Sequence, residues 1–141
     1  MNQEISVWTL KNINEGEKHI ATFSVSEDDM RLFARLSKDE NPLHCDDEFA
    51  KKKGFAAKIV YGGILVSKIS FIIGMKLPGL YGIWNSLNIQ FVKPLYIDEI
   101  ATCETVVKHV SKAAATIVLK IEIRSTAGIV SKAVAEVTLR E

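Results

Sequence analysis

At 141 residues, 48% apolar and 25% charged, the chain has the size of one domain and the composition of an ordinary soluble globular protein. A formal net charge of +1 argues against nucleic-acid binding, which needs a basic face. The two cysteines, Cys45 and Cys103, have no C-x-x-C spacing, so neither a disulfide framework nor a metal site is expected. The first ten residues carry Glu4 and no apolar core of signal-peptide length. The most apolar stretch, from Gly63 to Met75, is too short for a bilayer and contains Lys68. The expectation is a single soluble, cytoplasmic domain over residues 1–141, with no membrane or nucleic-acid partner and no cofactor.

Residues up to Gly16 show no strong pattern. From Lys18 to Val25 the chain alternates, with Ala21, Phe23 and Val25 on one face, which reads as a strand. Ser26-Glu27-Asp28-Asp29 then resembles a capping box, with acids in the first turn where the helix dipole favours them. Met30, Phe33, Ala34 and Leu36 supply an apolar stripe, so a helix should run to about Ser37.

Asp39-Glu40-Asn41-Pro42-Leu43-His44 follows and packs an acid, an amide and an imidazole into one short stretch. Proline fixes its own φ and pushes Asn41 toward an extended conformation, so Asp39 and His44 can meet across a rigid bend. Such a pair can serve as a general acid/base couple, because histidine titrates near neutral pH and a carboxylate can orient it or share its water. The same residues also suit a plain turn after a helix, with His44 merely nearby. Asp46 is a natural N-cap for a short helix in which Phe49 and Ala50 face inward and which Gly54 ends. Lys51, Lys52 and Lys53 read as its solvated face.

Gly62 opens the longest apolar run, in which apolar residues surround the helix on several sides and mark it as buried. Gly63, Ser67, Ser70 and Gly74 share one face of it, where a second backbone or a ligand could approach closely. A crossing strand would use the same small residues. Beyond Pro78 only strands are expected. Ile83, Asn85, Leu87, Ile89 and Phe91 alternate with Trp84, Ser86, Asn88 and Gln90; a Thr- and Val-rich segment runs from about Glu99 to Val110. Ile117, Leu119, Ile121 and Ile123 alternate next, and Ala133, Ala135, Val137 and Leu139 form the inner face of a last strand. Short connections make these strands antiparallel. The fold class is therefore α+β, an antiparallel sheet curling around one long helix. One sheet cannot fully cover that helix, so a second copy is expected to complete its burial.

The segment Leu36-Ser37-Lys38-Asp39-Glu40-Asn41-Pro42-Leu43-His44, with Asp46 and Ala50 after it, resembles the signature of the MaoC-like dehydratases, which include the (R)-specific enoyl-CoA hydratases. The resemblance continues through Ile59-Val60-Tyr61-Gly62-Gly63-Ile64-Leu65 into Ser67 and Ser70, then Ser86-Leu87, Phe91 and Pro94, and covers roughly residues 18 to 140. It implies a hot-dog fold, usually dimeric, and a hydro-lyase that interconverts trans-2-enoyl-CoA and (3R)-3-hydroxyacyl-CoA. It implies that Asp39 and His44 activate the water, that Asn41 supports that geometry and that Ser70 hydrogen-bonds in the site. The Gly62 amide would bind the thioester oxygen, as suits a helix N-terminus. The implied partners are an acyl-CoA or acyl-carrier-protein thioester and a second copy of the chain.

Three positions depart from the family's pattern: Lys38 stands where Gly is common, Tyr61 replaces a frequent His, and Ile97-Asp98-Glu99 lacks the Gly that usually precedes its Asp. Competing readings are a hot-dog thioesterase and a non-catalytic acyl-CoA-binding module; the latter would have no need of both Asp39 and His44. His19 and His109 are read as ordinary surface residues. Cys45 is not read as a nucleophile, since adjacency to His44 alone does not make a reactive thiolate.

Overall fold

The computed structural model describes residues 3–141, so Met1 and Asn2 of the stretch read above for a leader lie outside the described residues. Strand β1 (Lys18–Phe23) leads into helix α1 (Glu27–Ser37), two short helices α2 (Pro42–Cys45) and α3 (Asp47–Lys52), and the long helix α4 (Gly62–Met75). Four strands follow: β2 (Gly82–Phe91), β3 (Ala101–Ser111), β4 (Thr116–Ser125) and β5 (Gly128–Leu139). They form one antiparallel sheet in the order β1-β3-β4-β5-β2.

Ile117, Leu119, Ile121 and Ile123 of β4, and Ala133, Ala135, Val137 and Leu139 of β5, are all buried. With Ala101, Cys103 and Val107 of β3 they form one core with Ile64, Leu65, Ile69, Ile72 and Ile73 of α4. Period-two patterns in the strands thus meet an apolar helix face, as the sequence suggests. β2 departs from its simple alternation. A bulge between Trp84 and Ser86 shifts the phase, so Trp84 packs on the core with Leu87 and Ile89 while Ile83 is exposed.

Helix α1 starts as its capping box predicts. Ser26 Oγ accepts from the Asp29 amide at 3.1 Å, and the Asp29 carboxylate accepts from the Ser26 amide at 3.0 Å. Met30 is buried, but Leu36 is 82% exposed and does not belong to the apolar stripe. The helix ends because Lys38 takes a left-handed conformation at φ 63°. That is the conformation glycine adopts without a steric cost, which accounts for lysine being the unusual choice here. Asp98 likewise takes φ 65° itself, in the turn that lacks a glycine. Asp and Asn tolerate this region better than most residues.

The N-terminal segment is laced to the end of α4. The Ser6 amide donates to the Met75 carbonyl at 2.9 Å, and the Leu80 amide donates back to the Ser6 carbonyl at 2.9 Å. Gly79 permits this approach: its φ is 84°, and a Cβ there would lie 2.1 Å from the Ser6 oxygen. His109 is exposed beside Glu15, whereas His19 is half-buried and its Nδ1 has no partner among the described residues. Burial, then the charge of Lys76, pushes the His19 pKa down, so the surface reading of His19 does not hold.

Among the described residues no helix is long and apolar enough to cross a membrane. The face of α4 turned away from the sheet carries Ser67, Ser70, Phe71 and Gly74, all exposed. Three residues of the small-residue stripe, Ser67, Ser70 and Gly74, lie on the uncovered side of the helix, whereas Gly63 is covered by the Phe33 ring.

Candidate active site

The segment after α1 is folded by its own short side chains. One Asp39 carboxylate oxygen accepts from the Asn41 amide at 3.0 Å, and Asn41 Oδ1 accepts from the Leu43 amide at 2.9 Å. Aspartate and asparagine favour such turns because their side chains reach a backbone amide two residues on. Asn41 lies at φ −56° and ψ 128°, extended as the following proline requires. The sequence suggests only a bend here, but a full helical turn follows. Pro42 occupies the first position of α2, where its missing N–H costs nothing, and Asn41 caps it.

That turn of helix aims His44 inward. Its Nδ1 lies 2.8 Å from the Ile59 carbonyl oxygen. A carbonyl only accepts, so Nδ1 carries the proton, and in the neutral ring Nε2 is left as the acceptor. The Ile59 carbonyl is itself held in place, because the Ile59 amide donates to the Leu43 carbonyl at 3.2 Å and the next amide, of Val60, donates to the Leu95 carbonyl at 2.8 Å.

Tyr61 forms the other wall. Its ring stacks on His44 with centroids 4.1 Å apart and an interplanar angle of 26°, and it meets Phe33 at 4.8 Å. The residue is 2% exposed, and its hydroxyl donates to the Asp39 carbonyl oxygen at 2.6 Å, with Cys45 Sγ 3.6 Å away. Burial, the Cys45 contact and the charges of Asp39 and Glu40 together push the phenol pKa well above its ordinary value. The hydroxyl therefore stays a donor throughout the neutral range.

Helix α4 begins at Gly62, directly after Tyr61, and among the described residues no side chain caps it. The first amides of a helix have no partner within it and concentrate its positive dipole end. Both glycines here are required by close approach. A Cβ on Gly62 would lie 2.9 Å from the Phe91 ring, and one on Gly63 would lie 2.2 Å from the Phe33 ring. His44 and Gly62 line one cavity of ≈430 Å³, closed by Phe55, Leu65, Phe91 and Leu95. An imidazole acceptor and a helix N-terminus thus face a mostly apolar space, an arrangement fit to activate a polar group beside a developing negative charge.

The other sequence-derived candidates stand apart from this cavity within one chain. Asp39 and Asn41 are exposed, and no hydrogen bond joins the Asp39 carboxylate to His44 among the described residues. Ser70 is exposed on α4, roughly 12 Å along the helix axis from Gly62 at 1.5 Å per residue. Among the described residues no group of three or more His, Cys, Asp or Glu could hold a metal ion. The sequence marks Tyr61 only as standing in place of a frequent His and Phe33 only as part of the α1 stripe, and it gives Ile59 no role. Ile59 acts through its carbonyl, for which side-chain patterns hold no signal.

The chain is similar to a known family and to proteins within it. The family model described as "MaoC like domain" matches residues 9–135. An (R)-specific enoyl-CoA hydratase of Rhodospirillum rubrum is 32% identical over 97 residues, covering 69% of this chain and 67% of that protein. A mitochondrial 3-hydroxyacyl-[acyl-carrier-protein] dehydratase of Arabidopsis thaliana is 40% identical over 76 residues, but these span only 53% of this chain and 45% of that protein. The solved (R)-hydratase from A. caviae, described as involved in PHA biosynthesis, superposes with a TM-score of 0.86 at 28% identity, covering 92% of this chain and 98% of that one.

Because the folded-state pKa of Tyr61 is raised, the stability its phenol contributes is fully present below the unfolded value of about 10 and is lost as pH rises beyond it. At neutral pH, Tyr61→Phe should therefore be less stable than the wild type by about 1 kcal/mol, one hydrogen bond. Above pH 10 that gap should close by up to about 1.4 kcal/mol per pH unit and then reverse. Denaturant melts of both proteins at pH 8, 9, 10 and 10.5 check this; a constant gap would mean that the phenol is not held protonated by the fold.

Proposed function

Starting from a chain that belongs to the MaoC-like domain family, we propose that it is a hydro-lyase that adds water to a trans-2-enoyl thioester and gives the (3R)-3-hydroxyacyl product. The observation that carries this reading is the placement of His44, with Nδ1 committed to Ile59, in the same cavity as the N-terminus of α4.

In the hydration direction, a water held by the Asp39 carboxylate and His44 Nε2 gives up a proton as its oxygen bonds to C3 of the substrate. The C2–C3 π electrons move toward the thioester, whose oxygen takes the negative charge. The Gly62 amide donates to that oxygen, where the dipole of α4 favours an anion. Protonation at C2 by the proton taken from water completes the addition, so nothing is oxidised or reduced and no cofactor is needed. Asn41 supports the geometry by shaping the turn between Asp39 and His44. The apolar wall of Leu65, Phe91 and Leu95 accepts the carbon chain and keeps bulk water away.

Coenzyme A is the proposed carrier, as in the name of the Rhodospirillum relative. The Arabidopsis relative, named for the acyl-carrier-protein substrate, makes that carrier the second reading. A homodimer is proposed as the working unit. The exposed face of Ser67, Ser70, Phe71 and Gly74 is uncovered in one chain, and small residues let a second helix approach closely. Ser70 belongs to that face and is assigned to the site on this basis.

Purified protein should hydrate crotonyl-CoA to the 3R alcohol, read by coupling to a 3R-specific dehydrogenase. A signal only with a 3S-specific coupling enzyme would contradict the assignment, and free acid with free CoA as main products would point to a thioesterase. Turnover only with the acyl-carrier-protein substrate would replace the carrier but not the chemistry. Light scattering at micromolar concentration should give the mass of a dimer or a higher even assembly; a stable, active monomer would remove the α4 face from the account.

A further inference from the structure

Three groups of the proposed site come from separate pieces of chain: Asp39 from the turn after α1, His44 from α2 and Gly62 from the start of α4. Tyr61 touches or adjoins all three. Its hydroxyl donates to the Asp39 carbonyl oxygen at 2.6 Å, its ring lies against the His44 imidazole at 4.1 Å, and its own carbonyl carbon forms the peptide bond to the Gly62 nitrogen. Resting on the hydratase reading, we infer that Tyr61 is the positioning residue that sets the distances among Asp39, His44 and the Gly62 amide.

The geometry supports this in three ways. The side chain cannot wander, since it is 2% exposed and wedged between the rings of His44 and Phe33. Phe33 reaches that position only because Gly63 lacks a side chain, a Cβ there falling 2.2 Å from its ring. The tie to Asp39 goes to the backbone, so it fixes where the residue sits while leaving the carboxylate to the Asn41 amide and to solvent. Asp39 has no direct bond to His44 among the described residues; beside the bonds inside the turn, made by the Asn41, Leu43 and His44 amides, Tyr61 touches both Asp39 and the imidazole. Pre-organisation of this kind matters because catalytic groups must be held within about 0.5 Å of productive geometry, and a misplacement of about 1 Å can cost on the order of 10²-fold in rate.

The hydroxyl and the ring make separable contributions. Tyr61→Phe keeps the stack on His44 and removes only the tether to Asp39. Tyr61→Leu keeps an apolar filling and removes both. With crotonyl-CoA, Tyr61→Phe should lower kcat about tenfold with KM within twofold, and Tyr61→Leu should lower kcat by about a further tenfold. The loss belongs to kcat because Tyr61 touches the catalytic groups and does not line the cavity that takes the substrate. Assays are run well below the melting temperature of each variant, so that folded fraction does not enter.

Hydrogen exchange supplies a readout independent of activity. Tyr61→Phe should speed exchange at the Asn41, Leu43 and His44 amides, which are bonded within the tethered turn, and leave amides of the β4–β5 pair unchanged. A folded Tyr61→Phe variant with kcat within twofold of wild type would overturn the positioning role, as would kcat loss with no local change in exchange. If the wild type fails to hydrate any enoyl thioester, the hydratase reading falls. Exchange then decides alone whether Tyr61 holds the turn: unchanged rates refute it.

Discussion

A tyrosine this deeply buried has to find an acceptor for its hydroxyl, because an unpaired buried donor costs about 1–3 kcal/mol. In this chain the acceptor is the Asp39 carbonyl, and that one bond draws the turn after α1 down onto the start of α4. The consequences spread outward. His44 is pressed between Tyr61 and the Ile59 carbonyl, so its tautomer follows from its surroundings. Phe33 packs on the far side of Tyr61 and fixes α1 against Gly63. The polar corner of the molecule is thus built on an apolar foundation, the five isoleucines and leucines that seat α4 on the sheet.

Two steric devices keep the start of α4 open to chemistry. Glycine at positions 62 and 63 lets aromatic rings come within contact of the helix backbone from both sides, Phe91 on one and Phe33 on the other. The rings narrow the approach, and among the described residues no side chain caps the helix. The opposite face of α4 follows a different rule. Ser67, Ser70, Phe71 and Gly74 are exposed there, and side chains as small as serine and glycine let another backbone approach closely.

The fold was legible where burial imposes a period. Alternation in β4 and β5 and the apolar residues on several sides of α4 were enough to arrange a sheet about a helix, and the capping box placed the start of α1 to the residue. It was less legible where a local irregularity resets the pattern. The bulge in β2 turns Ile83 outward and Trp84 inward, which strict alternation cannot anticipate, and Leu36 continues a helical stripe past the point where α1 has anything to pack against. In the site, Asp39 and His44 stood out because an acid and an imidazole flank Asn-Pro. The contacts that hold them did not. Tyr61 acts through a backbone oxygen and a ring face, and Ile59 acts through its carbonyl; neither leaves a mark in residue type.

We propose that Asp39 and His44 work as one unit on water and serve chemistry more than stability. The direct measurement is turnover and melting of Asp39→Asn, His44→Gln and the double variant, on protein that hydrates enoyl thioesters. Each single change should lower kcat by on the order of 10²–10⁴ and leave the melting temperature unchanged or slightly raised, as expected for residues that trade stability for activity. The double variant should be little worse than either single one, because groups acting as a unit are not additive. Destabilisation by about 1 kcal/mol with near-normal kcat would contradict the account and leave the pair as the fastening of a turn.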